Sequence, residues 1–133
     1  MANALYPKWK GQIMQHGANS SLTGTVKIAL VDTGTYTYSS AHQFLTSLSA
    51  GIVGTPQTLN SKTFTDNVVD GADVTFTAVT GASCEAIAIY IDTGTAGTSQ
   101  LVAFFDTGVT GLPVTPNGGD ININFNVAGI FAL

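Results

Sequence analysis

The feature that most constrains the fold is a period-two alternation of apolar and polar residues in short runs. It is clearest in DININFN, where Ile121, Ile123 and Phe125 alternate with acidic and amide residues. Alternate side chains of a β-strand point to opposite faces, so the pattern predicts strands with one buried and one solvated face. Segments such as DGAD, TGAS and PNGGD separate the runs and predict turns.

The same reasoning predicts about seven or eight short strands along the chain. Two of the runs, EAIAIYID (85–92) and QLVAFFD (100–106), are apolar enough to be central strands. The other predicted strands are 25–32, 35–40, 58–65, 73–79 and 120–126, followed by the closing segment GIFAL. This arrangement is typical of a mainly β, single-domain antiparallel β-sandwich, jelly-roll-like in outline.

One internal segment, SAHQFLTSLSAG (40–51), departs from the alternation and predicts a helix. Ser40 and Gln43 have the spacing of a capping box, and apolar residues then recur on one helical face. Gly51 is a fitting helix end. We therefore expect one short helix after the first strands.

The first residues, ALYPKWKGQIMQHG, have a looser helical spacing with Trp9, the chain's single tryptophan, as the anchor. We expect an N-terminal arm or short helix in residues 1–20 and a β-sandwich domain in residues 21–133. An apolar arm either covers one end of its own core or reaches a neighbour. If it reaches a neighbour, Leu5, Tyr6 and Trp9 are the expected partner-binding residues.

Charge is scarce, at 9 % of the 133 residues, against about 25 % in ordinary soluble domains. The net charge is −4 and arginine is absent, which disfavours nucleic acid and anionic membranes as partners. With so few charges, copies of the chain repel one another only weakly. We therefore expect a homo-oligomer, a trimer before a dimer. The N-terminus lacks a long apolar run, so we expect no signal peptide and folding in the cytoplasm of the producing cell.

The triplet Asp-Thr-Gly occurs three times, at Asp32, Asp92 and Asp106, each time after an apolar run. Aspartic proteases use this triplet, but they need two such loops facing each other, so that the carboxylates share one proton. Three copies of the triplet in one short chain do not fit this two-loop arrangement. An Asp at a strand end accepts a hydrogen bond from the backbone two residues on, and Gly supplies positive φ. We therefore predict three strand-ending turns.

Other candidate sites are weak, and we expect no catalytic residue, no cofactor and no metal. Asp66, Asp70 and Asp73 crowd carboxylates in TDNVVDGADV, but the spacing matches no EF-hand loop, and solvated turns would look the same. His16 and His42 have no ligand spacing. The only cysteine, Cys84, excludes an internal disulfide and is expected to be a small buried residue.

The whole chain resembles small structural proteins of tailed bacteriophages. The resemblance is carried by MANALYPKWK, VKIALVDTGTYT, HQFLTSLSAG, DGADVTFTAVTG, EAIAIYIDTGT, LVAFFDTGVTGLPVTPNGGDININF and GIFAL, and it is strongest from Asp70 to Phe125. It implies a virion component rather than an enzyme, most like a capsid decoration (cement) protein. Such a protein coats the capsid exterior and binds the major capsid protein.

Other places and roles stay open. The resemblance also fits a tail, neck or fibre-associated component. A receptor- or carbohydrate-binding module is a further alternative, because Tyr36 and Tyr38 beside hydroxyls are able to stack on sugars, although such tyrosines are also ordinary cross-strand pairs.

Overall fold

Ten strands and one α-helix make up the regular structure of residues 3–15, 21–126 and 128–133, the parts that the computed structural model describes. The helix is α1 (Pro7–Met14). The strands are β1 (Ala4–Leu5), β2 (Val26–Val31), β3 (Ile52–Thr58), β4 (Thr63–Thr65), β5 (Val68–Asp70), β6 (Val74–Phe76), β7 (Ala86–Ile91), β8 (Gln100–Phe105), β9 (Ile121–Ile123) and β10 (Phe131–Ala132).

The largest sheet has five antiparallel strands in the order β1-β8-β7-β2-β3. Every residue of β7 is buried, and so are all but one in each of β8 and β2. Continuous apolar runs form strands of this kind when both faces of the sheet are covered. The prediction of central strands at 85–92 and 100–106 is therefore confirmed.

Two smaller antiparallel sheets complete the fold, one with the order β10-β5-β4 and a ribbon of β6 and β9. The ribbon shows the predicted alternation: Val74 and Phe76 pair with Ile123 and Ile121 and are buried, while Thr75 and Asn122 are exposed. One continuous core contains side chains from the large sheet, the ribbon and α1. The mainly β, antiparallel, β-sandwich-like single domain is thus confirmed.

The predicted polar strand at 58–65 is wrong, because the chain uses two separate strands there. β3 ends at Thr58, and β4 begins at Thr63. Sequence reasoning missed most of β3 because Gly54 and Pro56 look like breakers. Both are tolerated, since β3 is an edge strand and its register with β2 shifts in a bulge that contains them.

The helix predicted over 40–51 is also wrong: the segment contains two 3-10 turns, Leu45–Ser47 and Ser49–Gly51. Gln43 precedes the first of these turns instead of capping a helix, and its carbonyl accepts the Leu101 N–H at 2.8 Å. The side chain of Gln100 is buried and donates to the same carbonyl at 3.0 Å. Hydrogen bonds with the start of β8 satisfy these groups. This tertiary contact overrides the local helical spacing of the segment.

The segment 35–40 alternates tyrosines with hydroxyl residues but forms no strand, which corrects that prediction as well. The N–H groups of Thr35 and Tyr36 both donate to the Asp32 carbonyl, at 3.1 and 3.0 Å. That turn carries the chain across the end of the sheet. The tyrosines then pack on side chains rather than pairing through the backbone.

The N-terminal segment is part of the large sheet. β1 pairs with β8, and the N–H of Tyr6 donates to the Val102 carbonyl at 2.9 Å. Pro7 then starts α1, where its missing N–H costs nothing. The one α-helix among the described residues is therefore in the N-terminal arm. No helix among the described residues is long and apolar enough to cross a membrane.

Candidate functional site

Two of the three Asp-Thr-Gly triplets form the predicted turns. Asp32 Oδ1 accepts the Gly34 N–H at 2.9 Å, and Asp92 Oδ1 accepts the Gly94 N–H at 3.0 Å. Gly94 has φ of 87°, whereas Gly34 does not need positive φ. The Gly94 N–H, with Lys27 whose Nζ lies 3.2 Å from Oδ2, holds the pKa of Asp92 below its usual value.

The loop of the third triplet is held differently, by the side chain of Asn3 near the N-terminus. Asn3 Oδ1 accepts the N–H groups of Asp106 and Thr107 at 2.7 and 3.0 Å, and its Nδ2 donates to the Thr107 carbonyl at 3.0 Å. An amide supplies both an acceptor and a donor, so one side chain ties the start of the chain to the end of β8. The triplets thus serve as strand-ending loops.

The arm residues expected to bind a partner point largely into this chain's own core. Tyr6 and Trp9 are fully buried, and Leu5 is half-buried against the core. The Trp9 ring meets the Phe131 ring edge-on, with centroids 6.0 Å apart. A partner contact through Leu5, Tyr6 and Trp9 stays a prediction, and the exposed surface of the arm belongs to other residues.

Next to the arm lies an apolar groove of about 190 Å³. It is formed by Ile13, Leu22, Phe64 and Leu133, with Trp9 beneath them. The described residues expose four large apolar side chains, and three of them line the groove: Ile13 (37 % exposed), Phe64 (46 %) and Leu133 (54 %). Exposed apolar side chains that cluster in this way mark interaction surfaces, whereas single scattered ones are ordinary.

Four separate parts of the chain build the apolar groove, and the loop around Leu22 is one of them. Ile13 comes from α1 and Phe64 from β4, an edge strand whose three residues are all exposed. Leu133 is held by two hydrogen bonds to Asn67: its N–H donates to the Asn67 carbonyl at 2.9 Å, and its carbonyl accepts from Nδ2 at 2.8 Å. These two hydrogen bonds hold Leu133 in place, so its side of the groove is formed before any partner binds.

Lysines lie on or next to the segments that form this groove, although none of them lines it. Lys8 and Lys10 are exposed on α1, on either side of the inward-facing Trp9. Lys62 Nζ donates to the carbonyls of Leu22, at 2.8 Å, and Gly24. Burial lowers the pKa of Lys62. Three of the chain's four lysines thus belong to the segments that form the groove, although the whole chain is acidic.

A second concave surface lies at the end of the large sheet where β2 and β8 finish and β7 begins. We call it the tyrosine cleft; it has a volume of about 330 Å³ and is lined by Thr33, Tyr36, Thr37, Tyr38, Glu85, Phe104 and Asp106. Glu85 directly precedes β7 and Asp106 directly follows β8. Because the two strands are antiparallel neighbours, both carboxylates lie at the same end of the sheet.

At and below the cleft, five rings form a hydrogen-bonded and packed cluster, from Tyr6, Tyr36, Tyr38, His42 and Phe104. The hydroxyls of Tyr6 and Tyr36 lie 2.7 Å apart, and the Tyr36 hydroxyl also lies 2.8 Å from His42 Nδ1. Burial and the Tyr36 hydroxyl raise the pKa of Tyr6, and burial raises that of Tyr36. The partly exposed Tyr38 ring packs on Tyr6 and Phe104, with centroids 5.0 and 5.7 Å away.

The three carboxylates that lie close together in the sequence, Asp66, Asp70 and Asp73, have separate structural roles. Asp70 Oδ1 accepts the N–H of Gly71 at 2.8 Å, and Asp73 Oδ1 accepts the N–H of Phe125 at 2.7 Å. Asp66 is exposed in the turn between β4 and β5. No three His, Cys, Asp or Glu side chains group to hold a metal ion in the part of the chain that the structure describes. His16 lies outside those residues.

Cys84 is a buried free thiol, and burial raises its pKa to about 11. Such a thiol is protonated at neutral pH and behaves as a small apolar side chain. The sequence interpretation of Cys84 as a small buried residue is thus confirmed.

Sequence reasoning identified the N-terminal arm as a candidate surface but missed the residues that it exposes. Ile13, Phe64 and Leu133 are far apart in the chain, so no local pattern marks them as one group. The tyrosine cleft was signalled in part, by Tyr36 and Tyr38, whereas Glu85 and Asp106 join it only through the pairing of β7 and β8. A scan against protein-family models finds no match for this chain, and a search of curated proteins finds none.

Proposed function

We propose that the chain is a non-enzymatic structural protein of a tailed-bacteriophage virion. It acts as a decoration protein that binds the major capsid protein on the capsid exterior. The observation that carries the proposal is the apolar groove, where three of the four exposed large apolar side chains of the described residues meet. The end-to-end resemblance to phage structural proteins supports the same role and supplies the identity of the partner.

The groove also indicates what the partner surface is like. An apolar side chain of the major capsid protein would fill the space between Ile13, Phe64 and Leu133. Carboxylates beside it would face Lys8 and Lys10, which are exposed on the same helix as Ile13. Complementary charges at the rim of an apolar contact set orientation and association rate more than affinity.

A modest contact is sufficient for this role. A protein that binds the assembled shell and not its free subunits stabilises the shell by mass action. A shell presents many equivalent sites, and copies that are joined in an oligomer bind with avidity. The exposed edge strand β4 is available for contacts between copies, in keeping with the expected homo-oligomer.

The proposal is tested by co-sedimentation with undecorated shells of the phage that encodes the chain. Phe64→Ser and Ile13→Ser should each weaken shell binding at least tenfold, because each removes an exposed apolar contact and little of the core. Met14→Ser is the matched control: Met14 is 83 % exposed on the same helix but does not line the groove, and its loss should change binding less than twofold. Full occupancy of the shell by both groove variants would refute this contact.

A tail-, neck- or fibre-associated module is the second candidate. The tyrosine cleft is the observation that favours it, since modules of this class bind receptors or carbohydrates through clefts with aromatic walls. Labelling the chain in purified particles separates the two candidates, because it locates the protein on the capsid or on the tail.

A further inference from the structure

We propose that the tyrosine cleft is a binding site for a neutral carbohydrate, with Tyr38 as the stacking platform and Glu85 as an acceptor for sugar hydroxyls. This site is distinct from the apolar groove, and it would be present on either a capsid or a tail protein. The cleft volume of about 330 Å³ falls at the lower end of the range for small-molecule sites, which suits one or two sugar rings.

Tyr38 is the aromatic residue that is available to a ligand. Its ring is partly exposed at the cleft and rests on the Tyr6 and Phe104 rings, both of which are fully buried. A ring that is held from below loses little conformational freedom on binding, so its stacking energy is retained. Tyr36 cannot play this part, because it is 4 % exposed and its hydroxyl is bonded within the cluster.

Glu85 is oriented in the same way before any ligand binds. Its Oε1 accepts two hydrogen bonds from Thr33, from the backbone N–H and from Oγ1, both at 3.0 Å. The other oxygen, Oε2, accepts no hydrogen bond from the residues that the structure describes. A carboxylate fixed through one oxygen presents the other to a ligand hydroxyl, and such charge-assisted hydrogen bonds are among the strong ones. The exposed Thr37 hydroxyl adds a donor and an acceptor.

The charge of the cleft selects the class of sugar. Two carboxylates line it and none of the lining residues is a cation, so sialic and uronic acids would be repelled. A metal ion is a poor alternative occupant, since no third metal-binding side chain joins Glu85 and Asp106 among the described residues. The lining therefore selects an uncharged ligand that has hydroxyl groups and a ring face for stacking.

The probes are a panel of neutral mono- and disaccharides with gluco, galacto, manno and N-acetylgluco stereochemistry, together with sialyllactose. Amide chemical shifts of the full chain are followed by NMR as each sugar is added to tens of millimolar. At least one neutral sugar should shift the amides of Thr37, Tyr38 and Glu85 saturably, and sialyllactose should not. No saturable shift with any neutral sugar, or shifts at the apolar groove instead, would overturn the proposal.

Variants test the assigned roles. Tyr38→Ala should weaken sugar binding about tenfold, the loss of one stacking contact. Tyr38→Phe, which keeps the ring and its packing, should retain most of the affinity, and Glu85→Gln should weaken it severalfold. The controls are Met14→Ala, an exposed apolar side chain outside both the cleft and the groove, and Asp66→Asn, an exposed carboxylate elsewhere; both should bind as the parent does. Equal losses in controls and cleft variants would refute the site.

Discussion

The three Asp-Thr-Gly triplets show how one short pattern takes its role from the residues around it. Asp32 and Asp92 each accept the N–H of the glycine two residues on. At Asp106 the acceptor for the loop is Asn3, from the opposite end of the chain. The triplet predicts a loop at a strand end, and the chemistry that holds each loop depends on tertiary neighbours.

The first residue-scale prediction concerns Gly94, which has φ of 87° with no atom within 4 Å of the position of a Cβ. Any cost of a side chain there is therefore conformational. We expect Gly94→Ala to lower the free energy of unfolding by about 1 kcal/mol, and Gly94→Asn by less, because Asn tolerates left-handed backbone. Chemical denaturation of the two variants measures this. Equal stability of parent and Gly94→Ala would contradict the turn.

The second residue-scale prediction concerns Asp92, whose pKa is lowered in the folded protein by the Gly94 N–H and by Lys27. A carboxyl with a depressed folded pKa contributes stability above its unfolded pKa of 3.8, and that contribution is lost as pH falls through the folded value. Asp92→Asn should therefore be less stable than the parent at pH 6, by less than about 1 kcal/mol. The difference should vanish near pH 2. A gap that persists at pH 2 would assign the effect to packing.

At the scale of the elements, the strands that were best predicted are those whose own side chains determine their burial. β7 is apolar throughout, β8 is apolar after Gln100, and both strands lie within one residue of the predicted limits at each end. The helix predicted at 40–51 failed because the backbone of Gln43 pairs with β8, a partner that no local window contains. β5 was missed because its three residues lie in a segment rich in turn-forming aspartates.

A pair of glycines tests the packing of these elements. Gly11 lies inside α1, where a Cβ would meet no atom within 4 Å, so Gly11→Ala should stabilise the protein by about 0.5–1 kcal/mol through helix propensity. Gly51 ends the second 3-10 turn, where a Cβ would lie 2.6 Å from Cβ of the buried Tyr36. Gly51→Ala should destabilise by about 1–3 kcal/mol. Thermal unfolding compares the two, and the same sign for both would contradict the packing described.

Much less of the candidate sites than of the fold was predictable. The arm was proposed as a partner-binding surface, but its largest residue, Trp9, packs inward on Phe131. The apolar groove and the tyrosine cleft both depend on which strands become neighbours. Strand pairing is determined by the packing of the whole core. Leu133, held by Asn67 in the turn after β4, is an example that no local spacing predicts.

For the whole molecule, the scarcity of charge predicts self-association. We expect light scattering at micromolar concentration to give the mass of a homo-oligomer, with a trimer favoured, because a surface with few charges offers little repulsion between copies. The mass should not depend on salt concentration if apolar and hydroxyl-rich contacts dominate. A monomer mass in solution and on the particle alike would contradict the expectation.

The most direct test of the central claim, that the chain decorates a capsid through the apolar groove, is a cryo-EM map of the phage particle. The account predicts density for the chain on the outer surface of the capsid, near a local symmetry axis. In that density, Ile13, Phe64 and Leu133 should face the major capsid protein. Density on the tail, or on the capsid with the apolar groove facing solvent, would contradict it.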